Sequence, residues 1–239
     1  MSHEPWPTHC IAAVTEESGL RSQDLACERG GRRVFSHLNF AVAKGGALIL
    51  HGPNGSGKSS LLRVLAGLLR PSQGSLVWDG DPVNDDPETY HAALRYVGHL
   101  DAIKPTMTVR ENLAFWAEFY GGSDADAGLA GLDLEHLADI PARFLSAGQR
   151  QRLGLARILA APAPLWLLDE PTVTLDESTV ATVEKMIADH RANGGIIVVA
   201  THTGIDIPDA ERLRPDGNGS TEIAKGEGAV SAGLLGEGV

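Results

Sequence analysis

Apolar and polar positions change their spacing along the middle of the chain. Residues 38–42 alternate between apolar and polar side chains, which is the pattern of a strand with one buried face. Residues 47–50, 165–168 and 196–200 are instead continuously apolar. Such short runs are typical of strands that are covered on both faces.

Helical repeats separate these runs. Leucines within residues 61–68 share one stripe and predict a helix over that range, and residues 178–191 predict another. Residues 106–137 have a purely helical pattern, in which Thr108 and Glu111 have the spacing of a capping box. Because strands that alternate with helices usually pair in parallel, we expect an α/β protein with a mostly parallel sheet and a small inserted helical arm.

The composition fits a globular protein and argues against several functional classes. The chain has 239 residues, of which 20 are basic and 31 acidic, for a net charge of −11. A nucleic-acid-binding protein needs a basic face, so this balance predicts no nucleic-acid partner. No apolar run approaches the roughly 20 residues of a membrane-spanning helix, and no basic segment leads into an apolar one near the start. With two cysteines and no disulfide framework, we expect a cytoplasmic protein.

The strongest chemical signal is a complete P-loop pattern over residues 52–59. An apolar run precedes it and a helical repeat follows it, as this motif requires. Its glycines let successive amides point at an anion, Lys58 reaches the outer phosphates, and Ser59 offers a hydroxyl to Mg²⁺. The predicted nucleotide-binding residues here are Gly52, Pro53, Asn54, Gly55, Ser56, Gly57, Lys58, Ser59 and Ser60, with Lys58 also predicted to be catalytic.

A second segment, residues 145–149, precedes a helical run. Ser146 lies where a helix N-cap is expected, and Gly148 would let a ligand approach the backbone. An ordinary capped helix has the same pattern, so this segment alone leaves both interpretations open.

Two adjacent carboxylates end the apolar run 165–168. Asp169 is placed to hold Mg²⁺ through water, and Glu170 can polarise an attacking water. A lone histidine after a strand is usually structural, but the place of His202 in this series predicts a contact with a γ-phosphate. We therefore expect Glu170 and His202 to be catalytic, and Ser59 and Asp169 to be metal ligands.

In this order, the motifs resemble those of the ATP-binding cassette (ABC) family. The resemblance implies a P-loop NTPase fold, an antiparallel β subdomain beside the parallel core, and ATP with Mg²⁺ as ligands. It also implies that two copies pair head to tail, with ATP between the P-loop of one copy and residues 145–149 of the other. On this basis Ser146, Gly148, Gln149 and Asp176 are predicted to contact the nucleotide.

Three positions depart from the usual pattern of the family. Arg29 stands where many cassettes stack an aromatic ring on adenine, although a guanidinium plane also stacks on rings. His99 stands at the position of the usual glutamine and is for that reason included among the predicted nucleotide-binding residues; it would be a poorer ligand for Mg²⁺, so we expect it to serve coupling more than metal binding. Thr174 stands where alanine is commoner.

Residues 27–29, 98–104, 145–151 and 163–171 are similar to one branch of the family, the ATP-binding subunits of haem exporters in bacterial cytochrome c maturation. This similarity implies an ATPase that powers haem export or delivery to a periplasmic chaperone. It also implies a peripheral position at the cytoplasmic face of the inner membrane. The implied partners are a second copy, a membrane subunit of the CcmB type and other maturation proteins, with membrane contact only through partner subunits.

Other functions stay open on the sequence alone. The chain could be the cassette of another ABC transporter, a soluble ABC ATPase without a membrane partner, or a nucleotide-binding regulator that does not hydrolyse its nucleotide.

The predicted organisation is a loose N-terminal extension (1–18), a first part of the nucleotide-binding core (19–98), the helical arm (99–142), a second part of the core (143–212) and a glycine-rich mobile tail (213–239).

Overall fold

The computed structural model describes residues 18–98, 102–121, 124–202, 204–215 and 224–225. Apart from Ser18, the predicted N-terminal extension lies outside the described residues. Of the predicted tail, only residues 213–215 and 224–225 are described, and His99 also lies outside.

Two sheets form the framework of the described chain. A six-stranded sheet has the order β10-β9-β3-β8-β7-β6, and its neighbours are parallel except for the pair β9 and β10. A four-stranded antiparallel sheet has the order β2-β1-β4-β5. The strands are β1 Leu20–Arg29, β2 Arg32–Val42, β3 Ala47–Leu50, β4 Gln73–Trp78, β5 Asp81–Pro82, β6 Leu94–Val97, β7 Leu165–Asp169, β8 Ile196–Ala200, β9 Glu211–Leu213 and β10 Ala224–Lys225.

Helices cover the six-stranded sheet and build the inserted arm. The helices are α1 Lys58–Leu65, α2 Pro87–Ala92, α3 Val109–Phe119, α4 Ala125–Gly131, α5 Ala147–Ala160 and α6 Glu177–Ala192, with 3₁₀ turns at Glu135–Leu137 and Ala142–Phe144. The predicted mostly parallel sheet, antiparallel β subdomain and helical arm are all present.

The core lies on both faces of the six-stranded sheet because its strands are buried on both sides. Along β3, Ala47 and Ile49 pack with residues of α5, α6 and the arm. Leu48 and Leu50 point the other way and pack with α1 and the antiparallel sheet. Strands β7 and β8 alternate in the same manner, which explains why their sequences are continuously apolar.

Helix α1 is shorter than its leucine stripe predicts. It ends at Leu65, and Leu68 is 66% exposed, so the prediction that Leu68 continues the buried stripe was wrong. Gly67 follows with a φ of 70°, a left-handed conformation in which the Leu68 amide donates to the Arg63 carbonyl. A glycine in this conformation is a common end of a helix, and here it overrides the hydrophobic repeat.

The arm begins at the predicted capping box. The Thr108 side chain accepts from the Glu111 amide at 3.1 Å, and Glu111 Oε2 accepts from the Thr108 amide at 2.7 Å. Both interactions satisfy amides at the start of α3 that have no partner within the helix. Within the described ranges, no helix combines the length and the apolar character that crossing a membrane requires.

Candidate nucleotide site

The topology brings three predicted motifs to one edge of the six-stranded sheet. Strand β8 lies between β3 and β7, with Leu50 paired to Ala200 and Ala200 paired to Asp169. Since these strands are parallel, the segments that follow them leave the sheet at the same edge. The P-loop, the carboxylates of residues 169–170 and His202 therefore meet there, as binding sites of open α/β sheets generally do.

The P-loop joins β3 to α1 through glycines in left-handed conformations. Gly55 has a φ of 82°, and Gly57, the N-cap of α1, has a φ of 100°. A Cβ atom at Gly57 would lie 2.9 Å from Cγ1 of Val34, so a side chain is excluded by space as well as by conformation. No side chain caps α1 at Gly57, which leaves the first amides of the helix available to an anion.

The loop also holds a charge and a polar atom suited to a ligand. Lys58 is almost fully buried, and its Nζ donates to the carbonyl oxygens of Gly52 at 2.7 Å and Pro53 at 3.2 Å. The Oγ of Ser56 is buried without a hydrogen-bond partner in the described part of the chain. A buried polar atom without a partner costs roughly 1–3 kcal/mol. Both features fit a loop in which a bound phosphate would supply the missing partners of the Ser56 hydroxyl and the Lys58 ammonium.

The two predicted metal ligands are in direct contact. The Oγ of Ser59, in the first turn of α1, donates to Oδ1 of Asp169 at 3.1 Å. Asp169 ends β7 and is 3% exposed. A hydroxyl beside a carboxylate, at the mouth of a phosphate loop, is a donor set suited to Mg²⁺. The residues present therefore fit this ion.

Tyr96, on the neighbouring strand β6, interacts with Asp169 and is not among the site residues predicted from the sequence. Burial raises the pKa of Tyr96, the carboxylate of Asp169 raises it further, and a hydrogen bond to Arg63 opposes both effects. The phenol therefore stays neutral at physiological pH. A tyrosine within a four-residue strand has no spacing signal that would single it out.

Glu170 and His202 form one unit. Glu170 has a φ of 53°, and its amide donates to the Ala200 carbonyl at 2.8 Å. His202 Nδ1 lies 2.7 Å from Glu170 Oε1, and the His202 amide donates to Oε2 at 3.2 Å. Both carboxylate oxygens are thus fixed by the same residue. The sequence predicts separate roles for the two residues, whereas the structure shows that His202 also orients Glu170.

The segment at residues 145–149 begins α5 as a capping box. Ser146 Oγ accepts from the Gln149 amide at 3.2 Å, and Gln149 Oε1 accepts from the Ser146 amide at 2.8 Å. The segment therefore forms an ordinary capped helix, and this does not exclude contact with a ligand. In the ranges that the structure describes, no hydrogen bond links this segment to the P-loop of the same chain.

Gly148 and Asp176 have partners within the chain. A Cβ atom at Gly148 would lie 2.9 Å from the carbonyl oxygen of Thr174, which itself has a φ of 70°. Asp176 caps α6 and accepts from the Thr179 amide and the Ser178 hydroxyl, each at 2.8 Å. The hydrogen bonds from Thr179 and Ser178 lower the pKa of Asp176 to about 2. Nucleotide contacts by Gly148 and Asp176 stay predictions.

Gln151 links the start of α5 to the turn after Glu170. Its Nε2 donates to the carbonyl oxygens of Pro171 at 3.1 Å and Glu170 at 3.4 Å. Gln151 is not among the site residues predicted from the sequence. Its sequence signals are its position two residues after Gln149 and its place at the end of the range 145–151 that resembles the family.

Arg29 lies at the turn between β1 and β2, and it is exposed. Its predicted contact with adenine stays a prediction. The expected role of His99 concerns a residue outside the described ranges.

Comparisons with known proteins show the family of the chain. The family described as ABC transporter matches residues 35–173. The chain is 52% identical over 206 residues to a protein of Paramagnetospirillum magneticum named cytochrome c biogenesis ATP-binding export protein CcmA, covering 84% of this chain and 95% of that protein. It is 55% identical over 196 residues to a protein of the same name from Rhodospirillum rubrum, covering 81% of this chain and 84% of that protein.

A solved structure shows the same fold. The structure of the ATP-binding subunit of an ABC transporter superposes with a TM-score of 0.77 at 24% sequence identity. The superposition covers 87% of this chain and 90% of that chain. It confirms the predicted cassette architecture.

Proposed function

The chain belongs to the ABC transporter family, with the cytochrome c biogenesis ATP-binding export proteins, and from this premise we propose that it is the ATPase subunit that powers haem export or delivery in cytochrome c maturation. One observation carries the catalytic part of this proposal. The Ser59–Asp169 pair and the Glu170–His202 pair follow the P-loop at the same sheet edge. Phosphate binding, metal binding and water activation therefore have adjacent candidate residues.

The residues divide the work of ATP hydrolysis among them. The P-loop amides and the ammonium of Lys58 would bind the phosphates of ATP. Ser59 and Asp169 would hold Mg²⁺, which when bound would neutralise part of the phosphate charge. Glu170 would orient the attacking water and accept its proton, and His202 keeps the carboxylate in a single orientation.

The second half of each site would come from another copy of the chain. The start of α5 is exposed and its helix N-terminus favours negative charge, so it can face the phosphates that a partner's P-loop holds. A symmetric pair would form two such sites at once. Loss of the γ-phosphate would remove the group that bridges the two copies and let them separate.

The inserted arm is the proposed attachment to a membrane subunit of the CcmB type. Phe119 at the end of α3 is 67% exposed, and Phe144, in the second 3₁₀ turn just after the arm, is 66% exposed. Large exposed aromatic side chains are enriched in contacts between proteins. The subunit would then lie peripherally at the cytoplasmic face of the inner membrane, in contact with the membrane only through its partners.

Co-purification tests this proposal. A tagged Glu170→Gln variant, with Mg²⁺ and ATP, should recover a CcmB-type membrane subunit from detergent-solubilised native membranes. Glu177→Gln, the same substitution at an exposed residue of α6, is the matched control for the change of charge. Recovery of ribosomes or nucleic acid without a membrane subunit would contradict the transport role and leave the ATPase activity intact. Recovery of a different transporter's membrane subunit would contradict the haem assignment alone.

A further inference from the structure

Strand β9 brings an arginine to the start of the P-loop. Strand β3 lies between β9 and β8, and its last residue, Leu50, is paired with Leu213 of β9 in parallel register. The His51 amide donates to the Leu213 carbonyl oxygen at 3.0 Å, and His51 Nδ1 lies 3.1 Å from the same oxygen. The residue after Leu213, which is Arg214, therefore leaves the sheet at the same edge as the P-loop.

The stem of the Arg214 side chain packs against the first residue of the P-loop. A Cβ atom at Gly52 would lie 3.6 Å from Cγ of Arg214 and 2.9 Å from Oγ of Ser56. The Ser56 hydroxyl is the buried group that has no hydrogen-bond partner in the described part of the chain. The arginine and this hydroxyl thus lie on the same side of Gly52, at a place where glycine leaves room between them.

The guanidinium group of Arg214 is available to a ligand. Arg214 is exposed, whereas Leu213 and Pro215 on either side of it are buried, so its backbone is anchored while its side chain extends from the surface. Within the ranges that the structure describes, this side chain forms no hydrogen bond and no ion pair. Lys58, the one basic residue of the P-loop, already donates to two carbonyl oxygens of its own loop. A nucleoside triphosphate carries more negative charge than this single ammonium neutralises.

The neighbours of β3 indicate which phosphate Arg214 can reach. Strand β8 borders β3 on one side and leads to His202 and its partner Glu170, the proposed general base. Strand β9 borders β3 on the other side and leads to Arg214. The uncapped amides of α1, at the far end of the loop, suit the inner phosphates. The phosphate that water attacks must lie beside Glu170, at the start of the loop, which Arg214 approaches from the opposite side.

We propose that Arg214 is a further nucleotide-binding residue, which contacts the γ-phosphate of the ATP held by its own chain. This inference rests on the proposed function. A guanidinium presents parallel N–H groups that bond two phosphate oxygens at once. The contact stabilises bound ATP and leaves bound ADP unaffected, because ADP has no γ-phosphate. Arg214 therefore makes the site discriminate between the substrate and the product of hydrolysis.

The test measures the Kd of ADP and the Kd of the non-hydrolysable β,γ-imido analogue of ATP, each with Mg²⁺, on the full chain. Arg214→Ala should weaken binding of the analogue about ten-fold, the size of one charge-assisted hydrogen bond, and should change the Kd of ADP by less than about two-fold. Arg214→Lys should recover part of the loss, because it keeps the charge without the paired donors.

Arg212→Ala is the matched control. It removes an exposed arginine from the same strand, but Arg212 is paired with Ile49, further from the sheet edge, so both Kd values should stay at those of the wild-type protein. An unchanged ratio of the two Kd values in Arg214→Ala would overturn the inference. An equal loss for both nucleotides would also overturn it, because Arg214 would then support the loop and not contact the γ-phosphate. Failure of the wild-type protein to bind either nucleotide contradicts the proposed function as well.

Discussion

At Gly148, the choice of residue is set by a carbonyl oxygen on another segment. A methyl group there would lie 2.9 Å from the Thr174 oxygen, which is backbone and has little freedom to move. Thr174 has a φ of 70°, an uncommon conformation for a β-branched residue, so the turn is held by its surroundings. The glycine is thus required within the single chain, before any contact with a nucleotide.

Gly148→Ala should lower the free energy of unfolding by about 1–3 kcal/mol because the added methyl group overpacks this contact. Urea unfolding measures the change. Gly204→Ala is the matched control, since a Cβ atom at Gly204 meets no atom within 4 Å. The control should stay within about 0.5 kcal/mol of the wild-type protein. Equal stability of the two variants would show that the Thr174 turn yields to the methyl group.

Among the secondary-structure elements, α5 connects two parts of the site. Its first turn carries the capping box at Ser146, and Gln151 in its second turn holds the turn after Glu170 through two carbonyl oxygens. A shift at the start of α5 would therefore act on the backbone of Glu170, the proposed general base. We expect Gln151 to act as a positioning residue.

Gln151→Ala should lower kcat roughly ten-fold, since it removes one or two hydrogen bonds of about 1 kcal/mol each from the turn after Glu170, the proposed general base. ATP affinity should stay unchanged because the P-loop is intact. Gln23→Ala, at an exposed position of β1, is the control and should leave both quantities at wild-type values. A rise in the Kd for ATP with an unchanged kcat would contradict the positioning role.

Strand β7 and helix α6 meet through an aromatic stack. The rings of Trp166 and His190 are 3.7 Å apart between centroids and nearly parallel. Burial lowers the pKa of His190 from 6.5 to about 4, against the smaller raising effect of its hydrogen bonds to Ile196 and Pro164. The imidazole is therefore neutral in the folded protein at physiological pH.

This histidine should make the folded state less stable in acid. Between pH 6.5 and 4, the unfolded chain binds a proton that the folded chain does not, so the free energy of unfolding falls as the pH falls. From pH 7 to pH 5 the loss due to His190 should be about 2 kcal/mol. Urea unfolding of the wild-type protein and of His190→Phe, each at pH 7 and pH 5, gives the loss of unfolding free energy for each protein. The contribution of His190 is the loss in the wild-type protein minus the loss in the variant. Identical pH dependence of the two proteins would contradict this account.

The elements that the sequence predicts best are those whose pattern is fixed by burial alone. Runs 47–50, 165–168 and 196–200 are strands because both faces of their sheet are covered. Strand β6 was missed because it is four residues long and contains the buried Arg95. The Nε of Arg95 donates to the Ala161 carbonyl at 2.6 Å, a tertiary contact that no local pattern contains.

At the scale of the whole molecule, some parts of the site are local in sequence and others depend on the topology of the fold. The P-loop is local, since eight consecutive residues contain its glycines, lysine and serine, and its recognition needs no topology. The Glu170–His202 contact joins residues 32 positions apart and depends on β7 and β8 being parallel neighbours. The Gln151 contact depends on how α5 packs, which spacing along the chain does not determine.

The central claim is that Glu170 activates water in a P-loop ATPase. The most direct measurement is ATP binding and ATP turnover by Glu170→Gln beside Glu177→Gln, with Lys58→Ala as the variant that should lose binding. Glu170→Gln should bind ATP as the wild-type protein does and turn it over about 10²–10⁴-fold more slowly, because the amide cannot accept the proton. Glu177→Gln should match the wild-type protein in both assays. Turnover by Glu170→Gln within a few-fold of wild type would show that another group activates the water.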